Sequence, residues 1–268
     1  MFNTMVQELK IRNDSKKTID AYIFHNKKFL DFTKKTPQYI TSDDVKNYIL
    51  HLMKKQNSTR TIRLAISALS FYYTKILKRN VMKNIHRPKL EQTIPQILEK
   101  ENILKMIDAT KNLKHKLLIN LLYSSGVRIS EALKLKKEDI NIEKKMLFVK
   151  QGKGKKDRQT ILSERFLKDY LIYEKDVSNY IFESSYNKNQ PISIRTAQLI
   201  LENAAIKAGL KTHTYPHMMR RSFATHLYEN GTKITDIQAL LGHSDIKTTL
   251  IYTRISSAHL QNIASPID

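Results

Sequence analysis

Apolar residues recur at helical spacing along most of this chain, and the register of each stripe predicts an element. Asp14 and Ser15 offer an N-cap ahead of Ile19, Tyr22, Ile23, Phe29 and Leu30, which return near the 3.6-residue period. Thr41 or Ser42 opens a second helix with Asp43 and Asp44 in its first turn, where the helix dipole favours acids. Its apolar face is Val45, Tyr48, Ile49, Leu52 and Met53. Ser58 or Thr59 precedes a third, with Ile62, Ile66, Leu69, Tyr73 and Ile76 on one side. No strand pattern interrupts these stripes, so the first third predicts a small helical domain with Lys and Arg on its outer faces.

Periodicity stops between Ile85 and Pro95, where Pro88 and Pro95 disfavour helix at the residues before them. The chain therefore divides into a helical domain over 1–88, a linker over 89–95 and a second domain over 96–268. That second part is mixed. Helices are expected at about 99–110 and 113–124, closed by Gly126, with a short one beginning near Val127. Asp139–Ile142, Met146–Lys150 and Arg158–Leu162 are short and β-compatible, and Gly152-Lys153-Gly154 reads as the hairpin turn between the last two. Helices return at about 163–174 and 193–208, stopped by Gly209. Another starts at Pro216, well placed at the first helical position, and ends before Gly231. A short helix ends at Gly242, and one more is expected from Ser244 to Arg254.

Composition narrows what such a chain does. Of its 268 residues 41% are hydrophobic, enough for a real core. It has no cysteine, which removes disulfides, thiol nucleophiles and thiolate zinc sites together. No apolar run approaches the roughly 20 residues a membrane helix needs. The opening segment carries Glu8 and lacks the apolar block of a secretory signal, so a cytoplasmic protein without membrane association is expected. The net charge is +22, which suits a polyanionic partner such as nucleic acid. The excess is uneven: residues 1–90 hold 19 Lys and Arg against 6 Asp and Glu. A dedicated DNA-binding module would carry charge in this way.

Several groups are candidates for chemistry. His217 and Arg220 stand at i and i+3 near the positive end of one helix, an arrangement that suits a phosphate. Taken alone, the pair also fits an ordinary charged surface helix. Gly152-Lys153-Gly154-Lys155-Lys156 fits a basic hairpin tip or a plain turn, and it lacks the ending of a P-loop. His243 after Gly242, and Tyr252 nine residues on, could equally serve packing or capping. The sequence shows no His-Glu-x-x-His pair, no Gly-x-Ser-x-Gly elbow and no carboxylate cluster of a two-metal nuclease. A phosphodiester cutter of this composition would use a hydroxyl nucleophile, with Arg, Lys and His relieving charge.

In order, these segments resemble the motifs of the tyrosine recombinase (phage integrase) family. Gly126-Val127-Arg128-Ile129-Ser130-Glu131-Ala132-Leu133 resembles its first-arginine motif, and Gly152-Lys153-Gly154 its β-hairpin lysine. His217-x-x-Arg220 with Ser222-Phe223-Ala224-Thr225-His226-Leu227 resembles its His-x-x-Arg box. Leu241-Gly242-His243-Ser244-Asp245-Ile246 followed by Thr248-Thr249-x-x-Tyr252 resembles its closing histidine and tyrosine. The separations are 25 from Arg128 to Lys153, 64 on to His217, 26 to His243 and 9 to Tyr252. The likeness spans the chain and is greatest to the Xer branch, above all its archaeal type. Xer-like members usually read His-x-Leu-Arg-His, whereas here Met219 precedes Arg220 and Arg221 follows it.

The resemblance implies a mainly α fold with a small antiparallel β-sheet: an N-terminal helical core-binding domain that clamps DNA, and a C-terminal α+β catalytic domain. It implies Tyr252 as nucleophile, Arg128 and Arg220 as phosphate-binding guanidiniums and Lys153 as general acid. His217 and His243 would assist proton movement, with no metal or other cofactor. Double-stranded DNA would be the partner of a homotetramer exchanging strands through a Holliday junction, with the segment Ile255 to Asp268 docking on a neighbour. A phenolate leaves more readily than an alkoxide, since tyrosine ionises near pH 10, so a 3′-phosphotyrosyl bond stays reversible. The implied role is chromosome dimer resolution at a dif-like site in the cytoplasm, at the nucleoid. Mobile-element integration by the same chemistry, an inactive DNA-binding protein and a basic RNA-binding protein are the alternatives.

Overall fold

The computed structural model describes residues 1–90, 96–150, 157–187 and 189–255. The chain forms two compact units, Met1–Thr93 and Ile94–Asp268. Among the described residues no helix is long and apolar enough to cross a membrane. The Gly152-Lys153-Gly154 turn, linker residues 91–95 and the tail beyond Ile255 lie outside the described residues.

The first unit is helical: α1 (Asn3–Ile11), α2 (Lys16–Thr33), α3 (Ser42–Lys54) and α4 (Thr59–Ser70). Caps set three of the starts. Ser15 and Ser58 accept from the amides of Thr18 and Thr61 at 3.2 Å. At Thr41 a reciprocal box forms, with Asp44 N donating to Thr41 Oγ1 at 3.3 Å and Thr41 N to Asp44 Oδ2 at 2.9 Å. Each such cap is worth about 1 kcal/mol. Helix α1 has too narrow a stripe to be predicted, since only Met5 and Leu9 are buried on it. Met53, expected on the apolar face of α3, is exposed at the end of that helix.

The third predicted stripe does not continue as α-helix to Ile76. Phe71–Ile76 widens to a π turn, with Leu77 N bonded to Tyr72 O at 3.0 Å. Three consecutive aromatics cause this, because a 3.6-residue turn cannot aim all of them inward. Widening it lets Phe71, Tyr72 and Tyr73 bury together against Tyr22, Phe2 and Phe29, with ring centroids 5.7, 5.0 and 5.9 Å apart.

In the second unit α5 (Lys100–Ala109) and α6 (Leu113–Ser125) lead into the short α7 (Ile129–Ala132). A sheet follows in the order β1 (Ile140–Asn141), β2 (Met146–Val149) and β3 (Arg158–Ile161), all antiparallel. Then come α8 (Glu164–Tyr173), α9 (Ile194–Lys207), α10 (Pro216–Glu229), α11 (Ile234–Leu241) and α12 (Ile251–Ile255). Helix α6 is apolar nearly all round, with Leu117, Leu118, Ile119, Leu121 and Leu122 buried, so it sits centrally against α5, α8, α9 and α10. Each such buried aliphatic chain contributes ~1.5–3 kcal/mol. The sheet packs by alternation: Leu147 and Val149 face inward while Phe148 between them is exposed.

Strands β2 and β3 each end one residue before the expected bound, and two other elements depart further from expectation. Strand β1 begins only at Ile140, because Lys137–Asp139 forms a 3-10 turn held by Lys136 N on Asp139 Oδ2 at 3.0 Å. The helix expected from Ser244 to Arg254 is broken into a 3-10 turn, Ile246–Thr248, and α12. Local side-chain bonds win there. Asp245 accepts from Lys247 N at 2.9 Å, and Thr249, wholly buried, bonds the ring of His243.

Candidate active site

Two glycines set the frame. Gly126 ends α6 at φ +61°, and a Cβ there would lie 2.2 Å from Phe223 Cδ1, so only glycine lets α10 approach this closely. Gly242 ends α11 at φ +64°, and a Cβ there would lie 2.5 Å from Arg158 Cδ. The two helix ends thus converge on α10, where Arg220 meets both. Arg220 Nη1 donates to Gly126 O at 2.6 Å, and Nη2 donates to Leu241 O at 2.7 Å. This side chain is 4% exposed. Burial first, then the neighbouring Arg128 and Arg158 charges, lower its pKa to about 10, so it stays cationic at neutral pH.

Arg220 Nη2 also lies 3.0 Å from His243 Nε2. A guanidinium only donates, so Nε2 is the bare nitrogen and the ring is neutral, its Nδ1–H donating to Thr249 Oγ1 at 2.9 Å. The His243 ring stacks on Tyr252, with centroids 6.4 Å apart and 17° between planes. Tyr252 is 5% exposed and lines the same cleft as Arg220. Burial raises its pKa, against the opposing pull of Arg220, Arg221 and Arg128. The phenol is therefore protonated at rest.

Arg128 stands at the start of α7, its amide on Glu131 Oε2 and its Nη1 on Glu131 Oε1, both at 2.8 Å. Arg158 grips the same carboxylate from β3, at 3.0 and 2.7 Å, and anchors itself through Nε on Leu240 O at 3.0 Å. Burial alone would raise the pKa of Glu131. The bonds from Arg158 and from Arg128 outweigh it and hold the carboxyl at about 2. His217, in the first turn of α10, has its pKa lowered by partial desolvation and then by Arg220, Arg221 and Arg128. It too is neutral at pH 7.

These groups share one cleft of about 560 Å³, lined by Arg128, His217, Arg220, Arg221, His243 and Tyr252, with Lys247 at its wall. Among the described residues no carboxylate lines it. A neighbouring cleft of about 600 Å³ on the other side of Arg128 differs, because Glu131, Glu138 and Asp139 face its lysines. Of the two, only the first combines a carboxylate-free lining of positive side chains with a tyrosine hydroxyl, an arrangement that suits an attacked phosphodiester. Five of the six residues singled out in the sequence are brought together here. Lys153 lies outside the described residues. Sequence reasoning missed Glu131, Arg158, Thr249 and Arg221 as parts of the site. Glu131 had a signal in its i+3 spacing from Arg128, a capping distance, whereas Arg158 had none.

Fold and site together define a tyrosine recombinase, and the chain belongs to the phage integrase family. Residues 96–259 match the Phage integrase family and residues 1–83 its N-terminal SAM-like domain. Within the family it is of the Xer branch and XerA-like: it is 38% identical over 261 residues to tyrosine recombinase XerA of Pyrococcus furiosus, covering 94% of this chain and 88% of that one. The crystal structure of a XerA recombinase superposes with a TM-score of 0.58 at 30% identity, covering 96% of this chain and 93% of the other. XerH bound to palindromic difH substrate, in a post-cleavage complex, superposes at 0.77 with 25% identity, covering 93% and 80%.

Proposed function

We propose that this recombinase cleaves and rejoins duplex DNA through a 3′-phosphotyrosyl intermediate and a Holliday junction, resolving chromosome dimers at a dif-like site. One observation carries the reading: Tyr252 lines the same cleft as the buried Arg220, and the described lining of that cleft is cationic and holds no carboxylate. Support for DNA as partner comes from XerH, whose related structure is bound to difH substrate.

In this reading the scissile phosphate sits between Arg128 and Arg220, whose guanidiniums are fixed before it arrives. Tyr252 Oη attacks phosphorus and the bond to the 5′-oxygen breaks. The phenolic proton passes to one of the two neutral imidazoles, His217 or His243, and Lys153 protonates the leaving oxygen. A charge that builds on the equatorial oxygens meets dipoles already in place, so little reorganisation is needed. The free 5′-hydroxyl of a partner strand then attacks the phosphotyrosine and reverses the step. The helical domain over 1–88, with its excess of Lys and Arg, and the catalytic domain over 96–268 both grip the duplex. Four copies form the synapse, tied by the segment Ile255 to Asp268, at the nucleoid.

The test is a nicked duplex carrying the sequence that the protein protects on its host DNA, scored for a denaturant-stable protein–DNA adduct. The wild-type chain forms the adduct. Tyr252→Phe binds the same duplex and forms none. An adduct at full rate in the Phe variant would overturn the nucleophile assignment.

A further inference from the structure

Arg221 lines the catalytic cleft beside five of the residues assigned to chemistry, and no part of the reaction described above uses it. It stands where the resembling pattern carries a histidine. Its side chain is half-buried, and Nη1 donates to the hydroxyl of Tyr215 at 3.2 Å. That bond fixes one edge of the guanidinium and leaves the remaining donors for another acceptor. Among the described residues no carboxylate pairs with it. A half-buried guanidinium held in place by a neutral phenol, in a cleft without described carboxylates, is a charge awaiting an anion.

The helix decides which anion. Arg220 and Arg221 are adjacent on α10, so their side chains leave the helix about 100° apart and are directed to different points of the cleft. Arg220 is directed inward to the ends of α6 and α11. Arg221 lies instead one turn from His217, at i+4, on the cleft-facing side of the helix start. Successive phosphates of one strand are separated by about 3.4 Å along the duplex axis. The side chain next to the scissile-phosphate arginine is thus placed to meet the next phosphate along.

We infer that Arg221 binds a non-scissile phosphate flanking the cleavage point on the cleaved strand, and so sets the register of the scissile phosphate against Tyr252. The inference rests on the recombinase reading of this cleft. Arg221 is a positioning residue in this scheme, since it touches neither the reacting phosphorus nor the leaving oxygen. The Arg221 charge also pulls down the Tyr252 pKa, against burial.

The experiment removes one charge from each side. Nicked duplexes are made with a neutral methylphosphonate at the phosphate immediately 5′ or immediately 3′ of the scissile one, together with an unmodified control. The full-length wild type, Arg221→Gln, Arg221→His and Tyr215→Phe are each assayed for binding and single-turnover adduct formation. With wild type, one methylphosphonate lowers adduct formation about tenfold or more, the size of a lost charge-assisted hydrogen bond. Arg221→Gln shows a similar loss on unmodified DNA and no further loss on that methylphosphonate duplex. Arg221→His recovers part of the rate at acidic pH only, and Tyr215→Phe retains the wild-type sensitivity to the neutral phosphate. If the losses from Arg221→Gln and from both methylphosphonates multiply independently, Arg221 contacts neither flanking phosphate and the inference is overturned. Failure of the wild type to form any adduct would instead remove the recombinase reading beneath it, so the two failures are distinct.

Discussion

Glu131→Gln tests how the site is held. The carboxylate takes four hydrogen bonds, two from Arg128 and two from Arg158, and is itself buried. Its pKa falls from an ordinary 4.5 to about 2. That depression is worth ~3 kcal/mol of folding stability at neutral pH, where the group is ionised in both folded and unfolded chains. Because the folded value is the lower one, the contribution is complete above about pH 4.5 and drains away as pH falls towards 2. At about pH 3 it has shrunk to ~1 kcal/mol. A glutamine keeps the shape but turns one acceptor oxygen into an NH2 donor facing the guanidiniums, so each arginine loses one of its two bonds to this side chain and the charge that held it. Calorimetry on the full-length chain should show the transition lowered by roughly 6–12 °C at neutral pH, with the gap from wild type narrowing at acid pH. Adduct formation should fall as well, because Arg128 is no longer aimed, while DNA binding is largely kept. An equal thermal gap at both pH values would refute the electrostatic account and leave Glu131 as mere packing.

Four further outcomes are expected. Arg128→Ala slows cleavage by ~10²–10³ on any substrate, and Arg220→Ala loses at least as much because its bonds to Gly126 O and Leu241 O go as well. Lys153→Ala recovers on a 5′-bridging phosphorothiolate, whose sulfur leaves without a proton, and an equal defect on oxygen and sulfur substrates would exclude the general-acid role. Gly242→Ala forces a Cβ into a left-handed residue and against Arg158, costing about 1–2 kcal/mol from backbone strain alone; an unchanged urea midpoint would contradict it. DNA affinity falls by about 10³–10⁵ between 50 and 200 mM salt if 6–10 phosphates are contacted, and a flat response would show that the basic surface is only solvated.

The sequence made the helical framework legible wherever apolar spacing, a cap and a closing glycine agreed. Ser15, Ser58, Gly126 and Gly242 are such places, and the structure uses each as expected. Helix α1 was illegible because its stability comes from tertiary contact with the aromatic segment at Phe71–Tyr73, not from a broad stripe of its own. The break between Ser244 and Arg254 was hidden for a related reason. It depends on the bond from the ring of His243 to Thr249, which spacing along the chain does not reveal. At the site, residues that carry a motif could be read and residues that brace them could not. Arg158 acts on Arg128 only through Glu131, across a distance of 27 residues in sequence, and no local pattern encodes that.

Arg220 binds the carbonyls at the ends of two helices as well as facing the cleft. A gene copy released from selection for activity would therefore not decay evenly across its site. Loss of the Tyr252 hydroxyl removes one oxygen from the wall of a cleft and leaves the fold standing. Loss of Arg220 strips two buried carbonyls of their donor, so such a copy would tend to vanish with its fold. Descendants of this chain that survive without cleavage should then keep the arginine and discard the tyrosine. Retention of Arg220 is, on this account, a record of folding, whereas retention of Tyr252 is a record of use.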